Sequence, residues 1–192
     1  MPKMQYQERN DLTLITCQVG LLPLLYWVQY KCSRDGRDFL VTKGYRGKDE
    51  QNKEHAEGDS KVQWPYSFHN HGAAIDIVPV MFGMPWKLRW GAGRRFQRIA
   101  DIFKECGFEW GGDWRFVDKP HFQYTQGKTI YDFVNGYNIV KERYIDRIEI
   151  SIKIEEDKLK KALSKARMPN RRCDKLKAEL DYLSEVKAKV LQ

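Results

Sequence analysis

The 192-residue chain is long enough for one globular domain with an appendage, and 42% hydrophobic and 13% aromatic content supplies a real core. A net charge of +8 and a pI near 9.2 serve solubility, and they also fit a polyanionic partner: nucleic acid, an anionic membrane surface or an anionic cell-wall polymer. The scattered cysteines Cys17, Cys32, Cys106 and Cys173 form no CxxC pair, which argues against a structural cysteine zinc site and fits buried, reduced thiols.

The run from Leu12 to Val28 is the one candidate membrane segment. Thr13, Thr16, Gln18, Gly20 and Pro23 interrupt it, and it is shorter than the about 20 apolar residues that a spanning helix needs. No small-residue cleavage site stands out, so the product is expected to accumulate in the cytoplasm until released. Pro23 predicts a helix start, followed by Leu24, Leu25, Trp27, Val28 and Lys31 with an apolar face turned inward. Asp35-Gly36 predicts a turn, and Phe39-Leu40-Val41-Thr42 a strand that delivers Gly44-Tyr45-Arg46. Asp49 to Ala56 reads as a short polar helix stopped at Gly58, followed by a polar loop over 59–66.

Ala73 to Val78 reads as a strand ended by Pro79. Strand alternation places Asp76 on one face with Ala74 and Val78, opposite Ile75 and Ile77. A carboxylate among apolar neighbours needs a partner, and a metal would be one. Met84 to Trp90 reads as an aromatic loop. Phe96, Ile99, Ala100 and Phe103 repeat at helical spacing, with Gly107 as the stop. Trp110-Gly111-Gly112-Asp113-Trp114 is a glycine-rich turn, and Phe122 to Thr125 a strand.

Composition shifts near residue 136. Beyond it Ile145, Ile148, Ile152, Leu159, Ala162 and Ala166, then Cys173, Leu176, Leu180, Leu183 and Val190, follow helical spacing around Pro169-Asn170. Two helices in a hairpin or coiled coil are predicted. A conflicting pattern is the strict alternation of Ile148, Ile150, Ile152 and Ile154, which is strand-like; the long charged flanks favour helix. The expected division is 1–136 for a catalytic domain and 137–192 for the helical extension.

The chemistry concentrates in two short stretches. Ser67 to Asp76 supplies His69 and, seven residues on, Asp76; Asp118-Lys119-Pro120-His121 supplies a second histidine with a carboxylate three residues before it. Two imidazoles and one carboxylate would make an open zinc site, with the fourth position left for water. The remaining carboxylate would be free to take a proton from that water. On chemistry alone His71 is as good a ligand as His69, because both precede Gly72.

Ser67-x-His69-x-x-Gly72-x-Ala74-x-Asp76 matches in full the SxHxxGxAxD signature of zinc peptidases of the D-Ala-D-Ala peptidase/Hedgehog fold. Trp110 to Trp114 with Asp118-x-Pro120-His121-Phe122-Gln123 resembles the L-alanyl-D-glutamate endopeptidase branch, which includes phage endolysins and bacterial wall-lytic enzymes. Gly44-Tyr45-Arg46 and Glu50-Gln51 are similar to that branch's upstream segment. The resemblance spans roughly residues 20–125. It implies an α+β fold, a small antiparallel sheet flanked by helices. It also implies zinc held by His69, Asp76 and His121, with Asp118 as catalytic base. Arg46 is implied to bind substrate or stabilise the transition state, Ser67 to contact substrate, and His71 to line the cleft. The implied activity is hydrolysis of the L-Ala-D-Glu bond of peptidoglycan stem peptides, as in an endolysin held in the host cytoplasm until release. The enzymatic alternative is a D,D- or L,D-carboxypeptidase on the same material; the non-enzymatic one is a zinc-containing wall-binding module.

Trp64, Trp86, Trp110 and Trp114 are candidates for cleft walls or for core packing, and Trp114 is taken as a substrate contact. Asp113 either supports a ligand or closes the glycine turn, and the turn is favoured. Residues 137–192 carry 15 Lys and Arg against 10 Asp and Glu. They are expected to target an anionic wall or membrane surface, to form an oligomerisation stalk, or to pack as a solvated extension. No fingerprint supports specific nucleic-acid binding.

Overall fold

The apolar run near the N-terminus is broken in two. α1 (Gln7–Leu14) ends, residues 15–18 turn, and α2 (Leu22–Arg34) begins with Pro23 in its first turn, where a missing N–H costs little. The computed structural model describes residues 4–81, 84–88, 93–166 and 171–191, and no described helix is long and apolar enough to cross a membrane.

The strands are β1 (Asp38–Lys43), β2 (Ala74–Met81), β3 (Met84–Leu88), β4 (Glu109–Trp110) and β5 (His121–Gln123). They form one antiparallel sheet in the order β1-β2-β5-β4, with β3 also paired to β2. With α3 (Lys48–Glu57), α4 (Gly93–Glu105) and α5 (Ile130–Val134) around it, this is the expected α+β architecture. Ile75 and Ile77 point into the main core with Phe39, Phe103 and Phe122, while Val78 and Val80 pack with Leu40 in a second cluster. Asp76 lies across from the isoleucines, as alternation requires.

Two expectations are corrected. β2 runs through Pro79, which pairs with Phe39. The Ile77 N–H reaches Pro120 O at the start of β5, so the missing Pro79 donor falls on the same edge, just past the end of that strand. Met84 to Leu88 is a strand and not a loop, a short one paired to β2 alone. The Trp86 side chain and Trp90 lie outside the described residues.

α1 was not foreseen, and it finishes the free edge of β1. Buried Asn10 donates to Phe39 O at 3.0 Å and accepts from Val41 N at 2.8 Å, which replaces a missing strand partner.

α6 (Ile145–Ser164) and α7 (Arg171–Leu191) pack on each other and along α2. The residues between them, including Pro169-Asn170, lie outside the described set. Ile148 and Ile152 are buried, whereas Ile150 and Ile154 are 60% and 48% exposed, which decides the helical reading of this stretch. Tyr182, Leu183, Val186 and Val190 join one core cluster with Leu24, Trp27 and Tyr30 of α2. Tyr182 also donates to Gln7 at 3.0 Å, Lys189 pairs with Asp11 at 2.6 Å, and Arg34 pairs with Glu155 at 2.8 Å.

Candidate metal centre

The Ser67–Asp76 segment folds into a 3-10 turn (Phe68–His71) that leads into β2. The Ser67 side chain caps this turn by accepting from His69 N, and Asn70 reciprocates at Ser67 N. The first histidine is thereby fixed at a turn and Asp76 within a strand. The third group comes from β5, which pairs antiparallel to β2 with His121 directly opposite Asp76. Cross-strand neighbours on one face lie about 4.5–5.5 Å apart at Cβ, near enough to share one ligand.

The three inward atoms form a nearly equilateral triangle. His69 Nε2 is 3.2 Å from Asp76 Oδ1 and 3.1 Å from His121 Nδ1, and His121 Nδ1 is 3.3 Å from Asp76 Oδ1. Ligands about 2.0–2.1 Å from a tetrahedral zinc ion would stand about 3.3 Å apart, so the donor set fits that group. The far sides of both rings are taken. His69 Nδ1 donates to Gly44 O at 2.8 Å, and His121 Nε2 donates to Gln123 Oε1 at 3.1 Å. Each ring then turns a lone pair inward toward the carboxylate, and three convergent acceptors are reconciled by a cation. Burial alone would raise the Asp76 carboxyl; a proton carried toward it by His121 or His69 outweighs burial and holds the group well below the usual carboxylate range, and a cation between the three would take that proton's place.

Two of the closely approached glycines, Gly44 and Gly111, bear on the site directly. A Cβ on Gly44 would come within 2.6 Å of Thr16 Oγ1 and 2.9 Å of Thr13 O, so only glycine lets the chain just past β1 present its carbonyl to His69 here. A Cβ on Gly111 would lie 2.4 Å from Asp118 O. Gly111 O in turn accepts from Asp118 N at 2.8 Å, so the glycine turn holds the Asp118 loop in place.

Asp118 is the carboxylate left over. Its carboxyl is raised above the ordinary value, first by burial and then by the Asp76 charge, against the pull of His121, His69 and Arg46. A carboxylate that titrates above its usual range next to a candidate metal site is suited to accept a proton.

The structure separates the remaining candidates. Arg46 is 6% exposed; its Nη1 lies 2.8 Å from Glu54 Oε2 and 3.2 Å from Gln51 Oε1, and its Nη2 lies 3.8 Å from Asp76 Oδ2. Its charge therefore reaches the outer oxygen of Asp76. His71 is not part of the cluster: its Nε2 meets Pro65 O at 2.8 Å and its ring packs against Phe133. Of the two histidines before Gly72, His69 is the one in the group that could hold a metal ion. Trp114 is 37% exposed with its ring 5.1 Å from that of His121, so it borders the site, and exposed Phe116 and Val117 follow it. Trp110 belongs to the core, stacked on Phe122 with Nε1 bonded to Lys119 O at 2.7 Å. The Asp113 carboxylate pairs with Lys104 at 2.6 Å. The four cysteines are all free thiols.

Sequence reasoning missed the supports. Buried Asn70 donates to Arg46 O at 3.0 Å and to Gln51 Oε1 at 3.1 Å, and Gln51 donates onward to Ser60 and Val62. Glu54, the partner of Arg46, is a further member. The Glu-Gln motif pointed to Gln51, while nothing local marks Glu54 or Asn70.

Residues 61–124 match the peptidase M15 family described as D-alanyl-D-alanine carboxypeptidase. The chain is 31% identical to the peptidoglycan L-alanyl-D-glutamate endopeptidase CwlK of Bacillus subtilis (strain 168), over 46% of this chain and 61% of that protein. It is 35% identical to the L-alanyl-D-glutamate peptidase of Listeria phage A118, over 47% of this chain and 32% of that one. The chain thus spans about three fifths and one third of these relatives' lengths. Its fold is similar to the L-Ala D-Glu endopeptidase ChiX of Serratia marcescens, with TM-score 0.50, 27% identity, and coverage of 61% of this chain and 86% of that one.

Proposed function

We propose that the chain carries a peptidase M15 domain and is a zinc-dependent peptidoglycan endopeptidase that hydrolyses the L-Ala-D-Glu bond of stem peptides. The carrying observation is the triangle of His69, Asp76 and His121 donor atoms, 3.1–3.3 Å on a side, with both imidazoles turned inward by their outer hydrogen bonds. The bond specificity rests on the names of the three relatives.

A zinc ion held there would supply Lewis acidity, bringing the pKa of a bound water to about 7 and polarising the scissile carbonyl. Asp118 takes the proton of the attacking water and returns it to the leaving amine. Arg46, with Nη2 3.8 Å from Asp76 Oδ2, brings a positive charge beside the site and adds positive potential where the carbonyl oxygen gains charge. Ser67 holds the turn that carries His69, and Trp114 forms a wall beside His121. His71 lines a separate surface with Phe133 and Tyr137.

The proposed division keeps 1–136 as the catalytic unit, with the hairpin as its wall-facing appendage. From Lys158 to Lys177 the sequence holds nine Lys and Arg against the single acid Asp174, a local excess equal to the net charge of the whole chain. Such a tip fits an anionic wall or membrane surface, and its hold should weaken as salt rises. An endolysin stored in the host cytoplasm is the matching biological setting.

The test is digestion of purified sacculi with and without a chelator, with product masses read out. New N-terminal D-glutamate, lost on chelation and restored by zinc, is expected. Release of single D-alanine would establish the carboxypeptidase reading instead, and no product at all the binding-module reading.

A further inference from the structure

The outer nitrogen of His121 begins a hydrogen-bonded chain that leaves the metal site and ends at the sheet edge. His121 Nε2 lies 3.1 Å from Gln123 Oε1, Gln123 Nε2 lies 2.9 Å from Glu109 Oε2, and Thr125 Oγ1 lies 2.8 Å from Glu109 Oε1. The antiparallel register places Glu109 directly opposite Gln123 across β4 and β5. Gln123 and Thr125 are buried, and Glu109 stands at the exposed edge.

The direction of this chain follows from its last member. An ionised carboxylate accepts hydrogen bonds and donates none, so Gln123 must turn its NH2 toward Glu109. The amide oxygen then faces His121, and an oxygen is satisfied only by an N–H. Nε2 must therefore carry the hydrogen, which leaves the Nδ1 lone pair facing His69 and Asp76. With Glu109 absent, the Gln123 amide is free to reverse. A reversed amide presents N–H to Nε2 and favours the other tautomer, whose Nδ1–H cannot ligate a metal.

We propose that Glu109 is a positioning residue for His121, acting through the Gln123 amide to hold the imidazole in its metal-binding tautomer. This rests on His121 being a ligand, as argued above. The Glu109 carboxylate meets Gln123 and Thr125 and is not one of the three donor groups, and no short motif marks it. It reaches His121 only because β4 pairs with β5.

The experiment measures zinc or cobalt affinity by competition with a chelating dye for wild type, Glu109→Ala, Glu109→Gln, Gln123→Leu and the double variant Glu109→Ala/Gln123→Leu. Glu109→Ala is expected to weaken metal binding by about 10-fold, and Gln123→Leu by about 10–100-fold, the usual range for outer partners of metal ligands. The double variant is expected to match Gln123→Leu alone, because the carboxylate acts only through the amide. Glu109→Gln should bind close to wild type, since its carbonyl still accepts the Gln123 hydrogen. Imidazole nitrogen-15 spectra of the metal-free proteins give a second readout: His121 protonated at Nε2 in wild type, and a mixture of tautomers in Glu109→Ala. A Glu109→Ala protein that binds metal as wild type does, or that keeps the tautomer while losing only melting temperature, overturns the proposal. So do single effects that multiply in the double variant. A wild-type protein that binds neither ion overturns this proposal together with the metal-site reading.

Discussion

The face of β2 and β5 that carries His69, Asp76 and His121 and the hairpin of α6 and α7 are built on opposite principles. Around the three candidate ligands nearly every polar atom has a specified partner, often a backbone carbonyl or a neighbouring strand, and tolerances are a few tenths of an ångström. The hairpin is held by an apolar stripe with a few ion pairs, and its outer face is a solvated mixture of charge. Hydrogen bonds are directional, so one misplaced group undoes the first region. Apolar burial is not directional and spreads over many side chains, so the second bends before it breaks.

The comparison is tested first where the effect is largest. His121→Ala should abolish both metal binding and hydrolysis, while circular dichroism keeps the hairpin's helical signal. Metal retained in that variant would remove His121 from the ligand set. Next, Ile152→Ala in α6 opens a cavity in a close-packed stripe and should cost about 2–5 kcal/mol of stability. Metal content and turnover per folded molecule should stay at wild-type values. The matching change at exposed Ile150 should fall within about 0.5 kcal/mol of wild type, and equal effects at the two positions would contradict the helical packing.

A pH profile separates the regions more gently. Asp118 must be ionised to accept a proton, and burial raises its carboxyl, so activity should rise with pH along an acid limb above about 3.9, the unperturbed aspartate value. Activity is lost as pH falls through that raised value. Neutralising the basic tip with Lys160→Gln and Lys161→Gln should leave the acid limb in place and reduce only the salt-sensitive binding to sacculi.

How legible each region was follows from the same contrast. The candidate ligands and the proposed base sit in short spacings, His69 to Asp76 and Asp118 to His121, where local turn and strand geometry carries the information. Their supports do not: Asn70 meets Gln51 nineteen residues away, and Glu109 meets Gln123 across a strand pair. The hairpin was readable because helical spacing persists over two long segments, and burial of Ile148 and Ile152 against exposure of Ile150 and Ile154 decides its one ambiguous stretch. α1 was missed because its anchor is a single buried asparagine, Asn10, whose partners lie in β1. Pro79 reads as a stop in the sequence because its missing donor looks costly until the end of the neighbouring strand is known. Tyr182 and Val186 were absent from the expected stripe, since α2 covers a wider face of α7 than a narrow seam predicts.

The most direct measurement is zinc stoichiometry beside sacculus hydrolysis for wild type and Asp118→Asn. One zinc per chain in both proteins is expected, with hydrolysis by the variant lower by about 100–10,000-fold, the usual range for a general acid–base group. An Asp118→Asn protein that digests sacculi at the wild-type rate, or that loses its zinc, would contradict the assignment of three ligands and a separate base.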